Sequence, residues 1–305
     1  MQYNSAWIHS KVRQILSQLS NRPFFQKVRE NVLSEMCESG GFYGRKGDAD
    51  PYYTRFGLQI LDLLGTQIPN FKHHEAFLKK TVSNVQTFEQ WFSVLSSFEI
   101  INVSIPIRSK IACLGMLLKY AFHFPAALRI YDIFILGLIF QHIRERFLFA
   151  KIIPIPWTRI IKVIKCRAVF DGGFSELEHG IHTGQTNPTA AGILVLCNAP
   201  KSEKRDALLK NAVEFILKQQ RPTGGFAVSP AAPCDDLLTT FTSIIALRAA
   251  GVIHRVKQGQ AARFLRTVTT ENGFSAVPGD SVDVEFIYYG LMVWAMLEGI
   301  TNGVF

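Results

Sequence analysis

Glycine pairs followed by phenylalanine punctuate the chain: Gly40-Gly41-Phe42, Gly172-Gly173-Phe174 and Gly224-Gly225-Phe226, with a weaker copy at Asn272-Gly273-Phe274. Gly173 and Gly225 lie 52 residues apart, and Gly225 and Gly273 lie 48 apart. Gly41 and Gly173 are separated by 132 residues, three times 44, which leaves room for two degenerate units between them and about six units in all. A period of about 40–50 residues points to supersecondary repeats, each too small to bury its own apolar face. With 305 residues, 48% of them hydrophobic and 19% charged, the chain has material for a large core, and disorder is excluded.

Each clear unit has the same grammar. An amphipathic helix comes first, as in residues 202–220, where Leu208, Leu209, Val213, Phe215 and Ile216 form one stripe opposite the charges. The glycines are expected to end it. A loop of about ten residues follows, then Asp or Asn, then a helix without charge: residues 188–196, 237–247 and 286–297. A helix apolar all round is buried all round. Alternating helices of the two kinds predict an all-α chain, an α/α toroid (α6–α6 barrel) of about six helical hairpins. It is read as a single domain over 1–305, with clear repeats at 31–65 and 168–300 and divergent ones at 66–167.

The acids that open these helices have two readings. Asp50-Pro51 and Asn187-Pro188 set a capping side chain before a proline suited to the first helical position, and Asp236 and Asp283 hold the same place in their units. Glu285 adds a carboxylate to a first turn, where the helix dipole favours it. The other reading is catalytic, with Asp235, Asp236, Asp50 or Asp283 supplying an acid.

The GGF loops, the acid after each and the apolar helix that follows resemble the α/α-toroid superfamily of protein prenyltransferase β subunits and of squalene-hopene and related terpene cyclases. The segment FILKQQRPTGGF, residues 215–226, resembles the Gln-and-aromatic motif of cyclase repeats. The likeness covers residues 31–65 and 168–300, somewhat over half the chain. It implies an isoprenoid substrate handled by prenyl transfer or cyclisation. The transferases' zinc, held by Asp-x-Cys and a His, is not carried over. Asp236 matches, but Leu238 stands at the Cys position, and the His position falls near Phe286. Cofactors and metals are therefore expected to be none. The cyclase acid motif Asp-x-Asp-Asp falls over Asp236–Thr239 and keeps only its first Asp. His182 resembles the family's diphosphate-pocket His. Arg45 and Lys46, with Tyr53 after Asp50, form either a relocated anion site or a solvated loop. Phe56, Phe241, Phe286, Tyr288, Tyr289 and Trp294 are candidates to line a cavity, with ordinary core packing as the alternative. Glu176, Glu178, His179 and His182 cluster in sequence as a weaker metal alternative.

Residues 101–169 hold 11 Lys or Arg and two acids, Asp132 and Glu145, so the whole net charge of +9 sits in this stretch and the remainder is balanced. Basic residues interleaved with aliphatic and aromatic ones fit a membrane surface or a partner subunit, and nucleic acid is excluded as a partner for want of a binding motif. Five scattered cysteines without a CxxC pair, and no leader-like N-terminal pattern, lead us to expect a cytoplasmic protein, peripheral on a membrane if attached at all. The rival to an isoprenoid enzyme is a non-catalytic scaffold that binds lipid or a partner.

Overall fold

The computed structural model describes residues 5–176 and 183–301. Thirteen α-helices run through them: α1 Ser5–Leu19, α2 Pro23–Ser34, α3 Pro51–Leu63, α4 Phe71–Thr81, α5 Phe88–Ile100, α6 Ile107–Phe122, α7 Ile130–Arg146, α8 Trp157–Cys166, α9 Thr186–Asn198, α10 Glu203–Lys218, α11 Leu237–Ala249, α12 Gln258–Thr267 and α13 Val284–Thr301. The described strands form two antiparallel ribbons of two-residue strands: β1 Phe42–Tyr43 with β2 Ala49–Asp50, and β3 Phe226–Ala227 with β4 Asp235–Asp236. The described residues fold into two compact units, one within residues 114–267 and the other holding 5–113 with 268–301. No described helix is long and apolar enough to cross a membrane.

In the first unit α9 packs against α7, α10 and α11. It buries Thr186 and every residue from Pro188 to Cys197, as an uncharged helix should. Its neighbour α10 buries only one side, Ala212, Val213, Phe215 and Ile216. In the second unit α3 packs against α1, α2, α5 and α13. The amphipathic α2 buries Phe25, Val28 and Val32.

The GGF turns are fastened in the same way in both units. The backbone N–H of Phe42, Phe174 and Phe226 donates to the hydroxyl of Thr54, Thr189 and Thr240, at 3.0, 2.7 and 3.0 Å. Each threonine hydroxyl donates in turn to the carbonyl four residues back, on Asp50, Gln185 or Asp236. The phenylalanine ring then lies on helix backbone. A Cβ on Gly57, Gly192 or Gly290 would come within 2.5, 2.5 and 2.2 Å of the rings of Phe42, Phe174 and Phe274. The first glycine of a pair has a different task. Gly224 has φ +109°, and a Cβ there would stand 1.9 Å from the Gln260 carbonyl oxygen of α12.

Two local expectations are corrected. α10 ends at Lys218, with Gln219 as C-cap, and the glycines shape the later turn instead of ending the helix. Asn187 is not an N-cap: α9 begins at Thr186 after Gln185. Asn187 instead bridges to α11, where it accepts from the Thr242 hydroxyl at 2.7 Å.

Candidate functional site

The most connected polar cluster in the second unit lies where α3 and α13 begin. Asp50 fixes the first turn of α3, accepting from the N–H of Tyr52 at 2.7 Å and of Tyr53 at 3.3 Å, with Pro51 at the first helical position. Asp283 precedes α13, and its Oδ1 accepts the Glu285 N–H at 2.8 Å. These caps set Tyr52 and Tyr53 opposite Asp283 and Glu285. The Tyr52 hydroxyl donates to Glu285 Oε1 at 2.6 Å, and Tyr289, one turn along α13, donates to the same oxygen at 2.9 Å. From the β1–β2 loop, Arg45 reaches Glu285 Oε2 at 3.4 Å and Asp283 Oδ2 at 3.3 Å, and the Tyr53 hydroxyl reaches Asp283 Oδ2 at 3.4 Å.

The Glu285 side chain is only 11% exposed, whereas Arg45 is 64% exposed, so Arg45 tempers the carboxylate weakly through solvent. Three donors, from Tyr52, Tyr289 and Arg45, converge on this one carboxylate. The Tyr53 and Tyr289 phenols stay protonated at neutral pH. Burial raises the Tyr289 pKa well above the usual phenol range, helped by Tyr52 and Glu285. Tyr53 is raised by burial and by Asp283.

Rings pack beneath this network. Tyr52 meets Phe56 at 4.9 Å, Phe56 meets Tyr288 at 5.2 Å and Tyr289 at 5.5 Å, and Phe286 meets Tyr289 at 6.2 Å. Arg55 of α3 lies over the rings of Phe56, Phe92 and Tyr52 at 4.1, 5.2 and 5.6 Å. Its Nε is buried without a hydrogen-bond partner, and among the described residues no carboxylate pairs with it.

Of the residues singled out from sequence, Arg45, Tyr53, Phe56, Asp283, Phe286, Tyr288 and Tyr289 meet here. The others do not join the network. Asp50 and Asp236 are helix caps; both Asp236 oxygens take Thr239, its N–H at 2.8 Å and its hydroxyl at 2.7 Å. Asp235 is buried against Gly225 and accepts the Thr223 hydroxyl at 2.6 Å, which fixes the turn. Lys46 is exposed in the β1–β2 loop, and Phe241 is half-buried on α11. Trp294 packs with Phe24, Phe25 and Phe274, apart from the tyrosines. His182, Glu178 and His179 lie outside the described residues. Glu176 caps α7, accepting from the N–H groups of Ile130 and Tyr131. Sequence reasoning missed Glu285, Tyr52 and Arg55 as site residues. The Glu285–Tyr289 spacing of one helical turn was the available signal.

A zinc ion of the transferase kind does not fit these residues. Asp236 spends both oxygens on Thr239, and Leu238 and Phe286 offer no ligand atom. Among the described residues no group of three or more His, Cys, Asp or Glu side chains is placed to hold a metal.

Residues 5–103 and 192–304 match the prenyltransferase alpha-alpha toroid domain. No curated protein sequence matches. Among solved structures the chain is similar to Candida albicans protein geranylgeranyltransferase-I complexed with GGPP, with TM-score 0.62 and 11% identity over 92% of this chain and 93% of that one. It is also similar to a polysaccharide lyase, with TM-score 0.53 and 12% identity over 99% of each chain. The type II terpene cyclase MstE from Scytonema aligns with TM-score 0.38 and 12% identity over 99% of this chain and 92% of that one. At such identities the likeness is one of fold, and fold leaves chemistry open. The family match extends over more than half of the chain: it is an all-α protein of the α/α-toroid class and belongs to the prenyltransferase alpha-alpha toroid domain family.

Proposed function

We propose that the chain binds an isoprenoid, or a similarly apolar chain, over the aromatic surface of α3 and α13 and serves its transfer or cyclisation without the family's zinc site. One observation carries this reading: a largely buried carboxylate, Glu285, is held by two tyrosine hydroxyls against the packed rings of Tyr52, Phe56, Tyr288 and Tyr289. When the C–O bond of an allylic diphosphate breaks, the diphosphate leaves with the electron pair and positive charge develops on the allylic carbon. Ring faces and a fixed carboxylate stabilise such charge when they are organised before the reaction. Glu285 is the fixed charge in this reading, and Tyr52 and Tyr289 aim it. Asp283 anchors Tyr53 and Arg45. The cation open to an anionic head group is Arg55 and not Arg45, because Arg45 is engaged by two carboxylates. The GGPP carried by the similar transferase supports an isoprenoid ligand. The basic segment 101–169 serves as a second working surface, toward a membrane or a partner chain.

The test is organic extraction of the purified protein with mass spectrometry, followed by binding of geranylgeraniol and GGPP. A co-purifying or added isoprenoid that binds wild type, and binds the Tyr289→Ala variant about tenfold more weakly, supports the reading. A protein that is empty and ignores both compounds overturns it. Turnover that vanishes in Glu285→Gln while binding persists identifies an enzyme; binding without turnover in wild type identifies the scaffold.

A further inference from the structure

We propose that α6 lies on the surface of an anionic lipid bilayer through an apolar stripe on its outward side; this deepens the reading of residues 101–169 as a working surface. Ser109, Cys113, Leu117 and Ala121 recur every fourth residue and are buried, so they seat the helix on the protein. Ile107, Ile111, Leu118 and Phe122 fall on a different stripe, about 60° wide at ~100° per residue. They are 70, 65, 42 and 56% exposed. Gly115 lies at the edge of that stripe, and a Cβ there would meet nothing within 4 Å. A helix with one apolar stripe packed and a second left in water is placed to meet a second apolar phase.

Charge selects that phase. α6 carries Arg108, Lys110 and Lys119 and no acid. The start of α8 joins its far end, where Arg159 Nη1 donates to the Phe122 carbonyl at 2.5 Å, and α8 exposes Arg159, Lys162 and Lys165. Of the two acids of residues 101–169, Asp132 is paired with Arg129, which leaves Glu145 as the one acid of the segment set against these cations. Protein interfaces are depleted of lysine and rich in Tyr and Trp at their centres. Ile, Leu and Phe bordered by Lys and Arg are what an interfacial helix presents to anionic head groups. Because no described helix can span a bilayer, the contact is one of depth and not of crossing.

The experiment is co-sedimentation of the full chain with vesicles of phosphatidylcholine, with and without phosphatidylserine, for wild type and the double variant Ile111→Glu, Phe122→Glu. Both positions are exposed, and circular dichroism confirms that the variant folds. Wild type is expected to sediment with the phosphatidylserine vesicles, less so in high salt, and the variant to bind about tenfold more weakly. Wild type that stays in the supernatant, or a variant that binds equally, overturns the proposal. So does concentration-dependent self-association of wild type, seen by ultracentrifugation and lost in the variant, because the stripe would then be a protein interface. Isoprenoid binding is read on the same samples; vesicle binding without it leaves the bilayer contact standing and removes only the ligand.

Discussion

The Gly41 N–H donates to His74 Nδ1 at 3.0 Å, and the His74 ring is fully buried and stacked on Phe42 at 5.8 Å. Burial, helped by neighbouring His73, lowers its pKa. The folded state therefore binds fewer protons than the unfolded one just below the ordinary histidine value of about 6.5. Its contribution is present above that value and is lost as pH falls through it toward the lowered pKa. Urea denaturation across about pH 5–8 should show this loss in wild type. His74→Ala should cost about 2–4 kcal/mol at pH 8 and lack the slope; an unchanged slope would assign the titration to another group. A second residue-level expectation separates the two arginines. Arg55→Gln should weaken GGPP relative to geranylgeraniol by about tenfold, while Arg45→Gln should alter that ratio by less than about threefold. Titration with both ligands decides; the reverse order would return the anion site to the β1–β2 loop. Arg45, Tyr53 and Asp283 were each legible as polar residues beside helix starts. Their union around Glu285 was not, because it joins residues more than 230 positions apart, and that pairing follows from α3 lying against α13.

Helices announce themselves more plainly than their ends. α9, α11 and α13 follow from uncharged apolar runs, yet the start of α9 was misplaced because Asn187-Pro188 satisfies a local capping rule while Asn187 serves Thr242 of α11. The threonine hydroxyl beneath each GGF turn was also illegible, since its role depends on the turn folding back on the helix. Thr189→Val should leave the Phe174 N–H without its acceptor and cost about 1–3 kcal/mol. Gly192→Ala should cost as much or more, because its Cβ would overlap the Phe174 ring. A neutral result for both would mean that the turn does not depend on these contacts. Asp236 gives the opposite pH sign to His74. Burial raises its pKa against the hydrogen bonds from Thr239, so the folded state holds its proton more tightly. That contribution is present below the ordinary carboxylate value of about 3.9 and is lost as pH rises through the raised one. Asp236→Asn keeps a capping oxygen and should be within about 1 kcal/mol of wild type at neutral pH with a flatter acid profile, whereas Asp236→Ala should lose about 1–2 kcal/mol. An Asn variant as weak as Ala would show that the charge itself is needed.

For the whole molecule, the spacing of the glycine pairs and the two kinds of helix carried the fold class, because both are set by burial and backbone sterics that a sequence records directly. Chemistry was less legible, because Leu238 and Phe286 stand where the resemblance to the transferases implies a Cys and a His, and no local motif marks another site. That replacement makes a prediction about the protein as a unit. A structural or catalytic zinc binds the folded state with about 10–16 kcal/mol in small domains, so its removal lowers Tm sharply. Here the Asp236 oxygens are both taken, and Leu238 and Phe286 stand at the other two positions, so a chelator should leave Tm unchanged within about 1 °C. An apolar ligand that binds only the folded chain should instead stabilise it by about 2.7 kcal/mol at a hundredfold excess over its Kd. At roughly 2 °C per kcal/mol for a chain of this size, that is a rise of about 5 °C. Thermal unfolding in four conditions, with and without EDTA and with and without geranylgeraniol, separates the cases. A rise with the lipid that EDTA leaves intact supports metal-free binding. A rise that EDTA abolishes means that the chain recruits a metal through residues other than Asp236, Leu238 and Phe286, and the assignment of Glu285 as the fixed charge falls with it.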